Sequence, residues 1–385
     1  MITQFHFYTF RDGRDVTGYR IENASGEYAV VLNYGAMIQK ICVRDAKGCI
    51  GDVVLGPCED DFENGKFSGS VMGRCANRIA FGRFEIDGRE YQLNTVNQKP
   101  GAPHHLHGGR GSLAARFYNA EFNSDGQTVT FSCLDRGEDG WECSADVRIT
   151  YTFGDDHGLV IDYELKAGGD TVLSPTNHVH FNLDMPKPVS QDLLTVFTEW
   201  YAPADAELGM PVGLISRVDG LPIDFTHRRS IQEAVDADVS GFLGKRPRFD
   251  LCYLLEENSA ASEKFGRHRE ERAPDVSAPA HHAPASGLGL ARAAELVSPS
   301  NGRTLNVYTD AEGLILCTPN MPHPMTFKGM EFDGFMAICL ETQFVPNAVN
   351  CPEYRSPIFR KGETMRSRTV YQFGTVQDPE EISET

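Results

Sequence analysis

Tyr28-Ala29-Val30-Val31-Leu32-Asn33-Tyr34-Gly35-Ala36-Met37-Ile38-Gln39-Lys40-Ile41-Cys42-Val43 is the stretch from which the fold is read. Two runs of strand length, residues 28–32 and 37–43, flank the break Asn33-Tyr34-Gly35. Their Val, Ile and Tyr side chains suit a pleated, half-buried surface. Outward from there, Asp45-Ala46-Lys47-Gly48 is a polar turn and residues 52–56 read as another strand. The same pattern recurs at residues 128–134, 147–153 and 159–165. Helical periodicity is scarce, and residues 230–235 are the best short candidate. Many short strands with few helices predict an all-β chain, a large β-sandwich forming a single domain over residues 1–385. No repeat of fixed period is present.

Composition narrows the function. The formal charge of -18 disfavours nucleic acid and anionic membranes as partners, because both require basic patches. It fits a neutral small molecule better. Met1-Ile2-Thr3-Gln4-Phe5-His6 lacks the basic and apolar blocks of a signal peptide, and no apolar run spans a bilayer. The 10 cysteines are scattered without a CxxC pair, so reduced thiols and a cytoplasmic location are expected. Nothing in the sequence chooses between monomer and homodimer.

Residues 256–294 differ in kind. Arg267-His268-Arg269-Glu270-Glu271-Arg272 and Ala278-Pro279-Ala280-His281-His282-Ala283-Pro284 carry too little apolar surface to offset ordering entropy. A disordered insertion is expected there, and a frayed acidic tail from residue 374.

Four stretches carry chemistry. Phe335-Met336-Ala337-Ile338-Cys339-Leu340 is an apolar strand pattern that delivers Glu341 at its end, before Pro346 stops the ladder. Alternation puts Glu341 on the face of Ala337 and Cys339, whose small side chains leave room for a ligand. Burial there would raise its pKa toward that of a general base; the alternative is an edge-strand carboxylate in water. Gly73-Arg74-Cys75-Ala76-Asn77-Arg78-Ile79-Ala80-Phe81-Gly82-Arg83 holds three arginines and an asparagine, a donor set suited to a polyhydroxylated ligand or to ion pairing. It lacks GxGxxG spacing, which excludes the dinucleotide fingerprint. His104-His105-Leu106-His107-Gly108-Gly109 and Thr176-Asn177-His178-Val179-His180-Phe181-Asn182-Leu183 are histidine clusters. His178 and His180, two apart, share a strand face, where they could ligate a metal or serve acid chemistry.

In that order, these segments resemble the aldose 1-epimerases, also called galactose mutarotases. The match runs through Gly73 to Ala80, Leu106-His107-Gly108-Gly109, Thr176-Asn177-His178, Phe181-Asn182-Leu183, Pro222-Ile223-Asp224-Phe225, Phe249-Asp250 and Leu340-Glu341-Thr342-Gln343, then Pro346-Asn347-Ala348-Val349-Asn350. The resemblance implies a β-supersandwich of the galactose mutarotase type. It implies Glu341 as general base, His178 as general acid, His107 as an assisting contact, and Asn77, Arg78 and Asp250 as sugar-binding groups. No metal or cofactor is implied in catalysis. The reaction so implied is interconversion of the α and β anomers of a free aldose.

Three positions depart from the family pattern. His180 replaces a Tyr, Ala311 stands where many members have a sugar-binding Gln, and Cys317-Thr318-Pro319-Asn320 replaces Tyr-Thr-Gly-Asn. These departures are expected at the pocket, leaving the identity of the sugar open. The competing readings are a glycoside hydrolase using Glu341 and Asp250 as paired carboxylates, a sugar-binding module without turnover, and a metal-dependent isomerase using His178, His180 and Glu341.

Overall fold

Alternation along the strands decides which residues meet. In Ala145–Phe153 the residues Ala145, Val147, Ile149, Tyr151 and Phe153 are buried, while those between them are half-buried or exposed. A computed structural model of the chain describes residues 1–59, 62, 68–96, 103–244, 247–255, 289–318, 320–327 and 330–376, with backbone alone over 320–334.

The largest sheet has nine antiparallel strands. Across it they run Asn119–Phe122, Thr128–Asp135, Ala145–Phe153, Gly158–Ala167, Thr364–Thr375, Arg303–Thr309, Ala291–Val297, Leu193–Val196 and Arg229–Ser230. Ile2–Thr9, Asp15–Glu22, Tyr28–Leu32, Ile38–Arg44 and Ile50–Asp52 form a five-stranded meander in chain order. A second five-stranded sheet runs Ser216–Arg217, Trp200–Ala202, Asp250–Leu254, Gly313–Cys317 and Cys339–Gln343. One continuous core joins all three: Ile149 and Tyr151 from the large sheet, Ile38 and Ile41 from the meander, and Tyr253, Leu314, Leu316 and Leu340 from the second five-stranded sheet. The strand pattern predicts a large β-sandwich, and the architecture is the β-supersandwich that the resemblance implies.

That core assigns the faces of the last sheet. Leu316 pairs with Leu340 and Leu314 with Thr342, and this row looks into the core. The opposite face therefore carries Asp250, Cys317 and Cys339 in one registered row and Cys252, Ile315 and Glu341 in the next. The candidate site residues Asp250 and Glu341 stand on this outer face.

Several expectations are corrected in detail. The run before Glu341 is two strands rather than one, Met330–Phe335 and Cys339–Gln343. Between them Ile338 exchanges both backbone hydrogen bonds with Phe181, at 2.8 and 2.9 Å, which takes it out of the ladder. Glu341 thus sits in the middle of its strand, and Ala337 lies before it. The strand expected over residues 52–56 is Ile50–Asp52 instead. Val53 to Leu55 crosses between layers, with Val53 N–H donating to Ile41 and Leu55 N–H to His180. Gly56 closes the crossing, since a Cβ there would lie 1.9 Å from the Gln39 carbonyl oxygen. The helix is Ile231–Asp236; Ser230 is its cap, in a reciprocal capping box with Glu233.

Of the stretch expected to be an insertion, residues 256–288 lie outside the described residues. Its last residues do not fit that reading, because Ala291–Val297 is a buried strand of the nine-stranded sheet. Residues 377–385 of the expected tail are likewise outside the described residues, and the strand Thr364–Thr375 runs past its expected start.

Candidate active site

The stretch after Thr176–Asn177 is threaded between two parts of the chain. Thr176 Oγ1 donates to the Thr342 carbonyl at 2.9 Å, and Asn177 Nδ2 to the Gly69 carbonyl at 2.8 Å. His178 N–H donates to Ser70 at 2.9 Å, and Gly69 N–H returns to His178 at 2.8 Å. With the backbone pinned on both sides, the His178 ring is delivered to Glu341. Its Nδ1 lies 3.2 Å from Glu341 Oε1.

This pair is close but not hydrogen-bonded. His178 Nδ1 and Glu341 Oε2 are buried polar atoms without a hydrogen-bond partner. Such atoms are rare in native interiors and mark a place prepared for something else. Glu341 is 2% exposed. Burial is the main cause that pushes its carboxyl well above the usual carboxylate range, and the neighbouring Cys317 and the Asp250 charge add to it. Burial also pushes His178 down to about 4, with Asp250 opposing. The sequence reading expected a carboxylate beside a protonated imidazole. Burial instead favours the neutral form of both groups, because each charge would be desolvated without a donor or acceptor to replace water. The two arrangements hold the same single proton.

The Arg-Asn run and the first histidine cluster meet beside this pair. His107 N–H donates to the Asn77 carbonyl at 2.9 Å, and Asn77 N–H donates to His107 Nδ1 at 3.2 Å. An accepting Nδ1 leaves the ring proton on Nε2. Burial, with His178 and Arg78 nearby, lowers the His107 pKa to about 3, so the ring is a fixed neutral donor. Its centroid is 5.4 Å from that of His178. Asn77 and His107 both have positive φ, 55° and 50°, a cost that persists where the surroundings demand one geometry. Gly108 is required beside them, since a Cβ would lie 1.8 Å from the Gly73 carbonyl oxygen. Arg78 Nη1 donates to Asn77 Oδ1 at 3.3 Å. The loop after the Glu341 strand clamps this wall: Asn347 N–H donates to Arg78 at 3.0 Å, and Asn347 Oδ1 accepts from Ala80 N–H at 3.0 Å.

Asp250 is exposed at the start of its strand, yet its charge reaches both Glu341 and His178. The structure thus brings together Glu341, His178, His107, Asn77, Arg78 and Asp250. It separates others. Arg74 is fully buried in an ion pair with Asp135, and Arg83 is spent on Gln92 at 2.7 Å. His105 Nδ1 bonds the Asn94 carbonyl at 2.7 Å, and His104 Nδ1 accepts from Phe81 N–H at 3.1 Å. These histidines shape the wall behind the pocket.

The expected pocket departures are redistributed. Ala311 lies outside the strand Gly313–Cys317, in the connection arriving from the nine-stranded sheet, and is not paired with the Glu341 row. The residue opposite Glu341 is Ile315, which sequence reasoning missed. Alternation from Cys317 puts Ile315 and Ala311 alike on that face, and what separates them is that the strand begins at Gly313. His180 and Cys317 do belong to the site. The His180 ring stacks on His178 at 4.9 Å, and Cys317 pairs with Cys339.

The chain is similar to several known proteins. The family model described as aldose 1-epimerase matches residues 18–372. Rat galactose mutarotase is 30% identical over 89% of this chain and 90% of its own length. Aldose 1-epimerase from Escherichia coli is 26% identical over 94% of this chain and 96% of its own. Among solved structures, a GalM/aldose epimerase homologue from C. elegans superposes with a TM-score of 0.76 at 24% identity, covering 93% of this chain and 98% of that one. Galactose 1-epimerase from Lactobacillus acidophilus gives 0.75 at 21% identity, covering 97% and 99%. At these identities the structural likenesses speak to the fold.

Proposed function

Because this chain belongs to the aldose 1-epimerase family, we propose that its Glu341–His178 pair interconverts the α and β anomers of a free aldose by opening and reclosing the ring. The observation that carries this reading is the 3.2 Å approach of His178 Nδ1 to Glu341 Oε1, in a buried site where neither group has its hydrogen bonds met.

The sugar's anomeric O1 hydroxyl donates to Glu341 and supplies the donor that the carboxylate lacks. This favours the ionised carboxylate and moves the pair's proton toward His178, whose charge Asp250 then stabilises. Glu341 takes the O1 proton, His178 gives its proton to the ring oxygen O5, and the C1–O5 bond breaks. The product is the open-chain aldehyde. Rotation about C1–C2 presents the other carbonyl face. O5 adds to C1, His178 recovers its proton from O5, and Glu341 returns one to O1. Protons and bonds balance over the cycle.

His107 Nε2–H, Asn77 and Arg78 are hydrogen-bonding partners for the remaining hydroxyls, and their clamp by Asn347 limits the reorganisation needed. Each positioned acid or base is worth on the order of 10²–10⁴ in rate. Among the described residues no disulfide joins the cysteines, which supports a reducing compartment, the cytoplasm, as the location. Among the described residues no helix is long and apolar enough to cross a membrane.

The test is polarimetry of freshly dissolved α-galactose, α-glucose and pentoses. The expected result is faster approach to the equilibrium rotation than in buffer, with no second product. A rate equal to the blank sinks the reading. Release of monosaccharide from a disaccharide would favour the glycosidase alternative.

A further inference from the structure

The histidine next to the proposed acid has no part in the ring-opening chemistry, yet its orientation is specified. His180 Nδ1 lies 3.1 Å from the His178 carbonyl oxygen and 3.0 Å from Ser68 Oγ. Ser68 Oγ itself donates to the Leu55 carbonyl at 2.7 Å. A carbonyl only accepts, so the imidazole proton is on Nδ1 and the lone pair is on Nε2. A backbone carbonyl fixing one ring nitrogen as donor, and so freeing the other, is the usual support of a metal-ligating histidine.

Two more ligand atoms converge on the same place. One atom from each of His178, His180 and Cys339 lies within 4.8 Å of the others. Cys339 is fully buried, and its side chain shares the outer face with Glu341. His178 Nδ1 has no hydrogen bond to give up. A tetrahedral centre with nitrogen and sulfur bonds of roughly 2.0–2.3 Å needs ligand atoms roughly 3.3–3.7 Å apart. The three therefore approach by about an ångström on loading, within reach of small side-chain rotations.

We infer that His178, His180 and Cys339 form a binding site for a thiophilic divalent transition-metal ion of the Zn²⁺ class, occupied in competition with the sugar. Two imidazoles and a thiolate select borderline-soft ions over Mg²⁺ or Ca²⁺. On binding, the Cys339 S–H bond breaks, its proton leaves to solvent, and the Sγ–metal bond forms; no electron is transferred. Three protein ligands leave the fourth position for water. The metal holds His178, so a loaded chain has no acid for O5. That consequence rests on the proposed function, whereas the binding site does not.

The experiment uses the full reduced chain with Zn²⁺ alone, followed by calorimetry, and with Co²⁺ as a spectroscopic probe. One ion per chain is expected, with tetrahedral Co²⁺ bands and a thiolate-to-cobalt charge-transfer band. His180→Tyr keeps an aromatic ring against His178 but removes a ligand nitrogen; Cys339→Ser removes the sulfur. Each should weaken binding at least about 100-fold and abolish the charge-transfer band. Cys49→Ser, which alters an exposed thiol, should leave binding intact. No binding to wild type at micromolar Zn²⁺ overturns the site. So do an unchanged band in folded His180→Tyr and loss of the band in Cys49→Ser. Zn²⁺ should also slow mutarotation by wild type and not by His180→Tyr. Intact binding without inhibition would count against His178 as the acid and leave the metal site standing.

Discussion

Two buried acid–base pairs in this chain are treated in opposite ways. Arg74 Nε donates to Asp135 Oδ2 at 2.8 Å, and Nη2 lies 2.8 Å from the same oxygen. Asp135 Oδ1 accepts from Arg116 at 3.0 Å and from Gly137 N–H at 3.0 Å. Thr171 accepts from Arg74 at 3.3 Å, and the guanidinium lies 5.0 Å from the Trp141 ring centroid. Both Asp135 carboxyl oxygens thus have donors, although Arg74 Nη2 has no hydrogen bond of its own, and the pair is structural. Glu341 is as deeply set and His178 is half-buried, but His178 Nδ1 and Glu341 Oε2 lack partners. There the proton is left free to move. The difference teaches that burial alone does not make a site: Asp135 has donors on both oxygens, and Glu341 Oε2 has none.

The sharpest break of this contrast is Glu341→Gln. The amide keeps the shape and cannot take the O1 proton, so kcat should fall roughly 10²–10⁴-fold, toward the upper end because the same group also acts in reclosure. Stability should move the other way. In the folded chain the Glu341 carboxyl keeps its proton to higher pH than when unfolded. Its contribution is therefore full below the unfolded pKa and lost as pH rises toward the folded one. Gln does not ionise, so the variant should melt at the same or higher temperature at neutral pH. A folded variant within a few-fold of wild-type turnover would refute the base assignment.

Arg74→Met attacks the other pair. It strands Asp135 in the interior, and loss of one partner of such a pair costs roughly 3–5 kcal/mol. The urea midpoint should drop accordingly, while kcat per folded molecule stays near wild type. A variant of normal stability and poor turnover would mean that Arg74, rather than Arg78, serves the sugar.

His178→Asn should lower kcat by roughly two decades and change KM little, since protonation of O5 matters mainly in the transition state. The pH profile of kcat/KM sharpens this. Below about 4 the pair takes up a second proton on His178, and above the raised Glu341 pKa it loses the only one. Activity should therefore fall on the acid side near pH 4. On the alkaline side it should fall above the ordinary carboxylate range. An acid limb unchanged in folded His178→Asn would assign that limb to another group.

The smallest effect expected is on sugar choice. Ile315→Gln adds an amide opposite Glu341; because Ile315 is 2% exposed the variant should also lose stability, while a sugar whose hydroxyl meets the amide gains about 1 kcal/mol, or roughly fivefold in kcat/KM. Galactose, glucose, xylose and arabinose should respond unequally. Ala311→Gln should leave the preference unchanged and lower stability, because Ala311 is 7% exposed. If Ala311→Gln shifts preference and Ile315→Gln does not, the assignment of the pocket face is wrong.

The sequence by itself determined the strand character of residues 28–32, 37–43, 147–153 and 159–165, a short helix near residues 230–235, and the stretches that bear Glu341, His178 and His107. These depend on short-range alternation, cap chemistry and glycine placement, which a few neighbouring residues carry. It did not separate Arg74 from Arg78, although they are four residues apart. That choice belongs to Asp135 and Asn347, which approach from distant parts of the chain. Nor did it select Ile315 over Ala311, because the partner of Glu341 is set by cross-strand register. The protonation of the pair was decided at the same level. Whether a buried carboxyl keeps its charge depends on which donors the folded chain brings to it, and here the fold brings none to Glu341 Oε2.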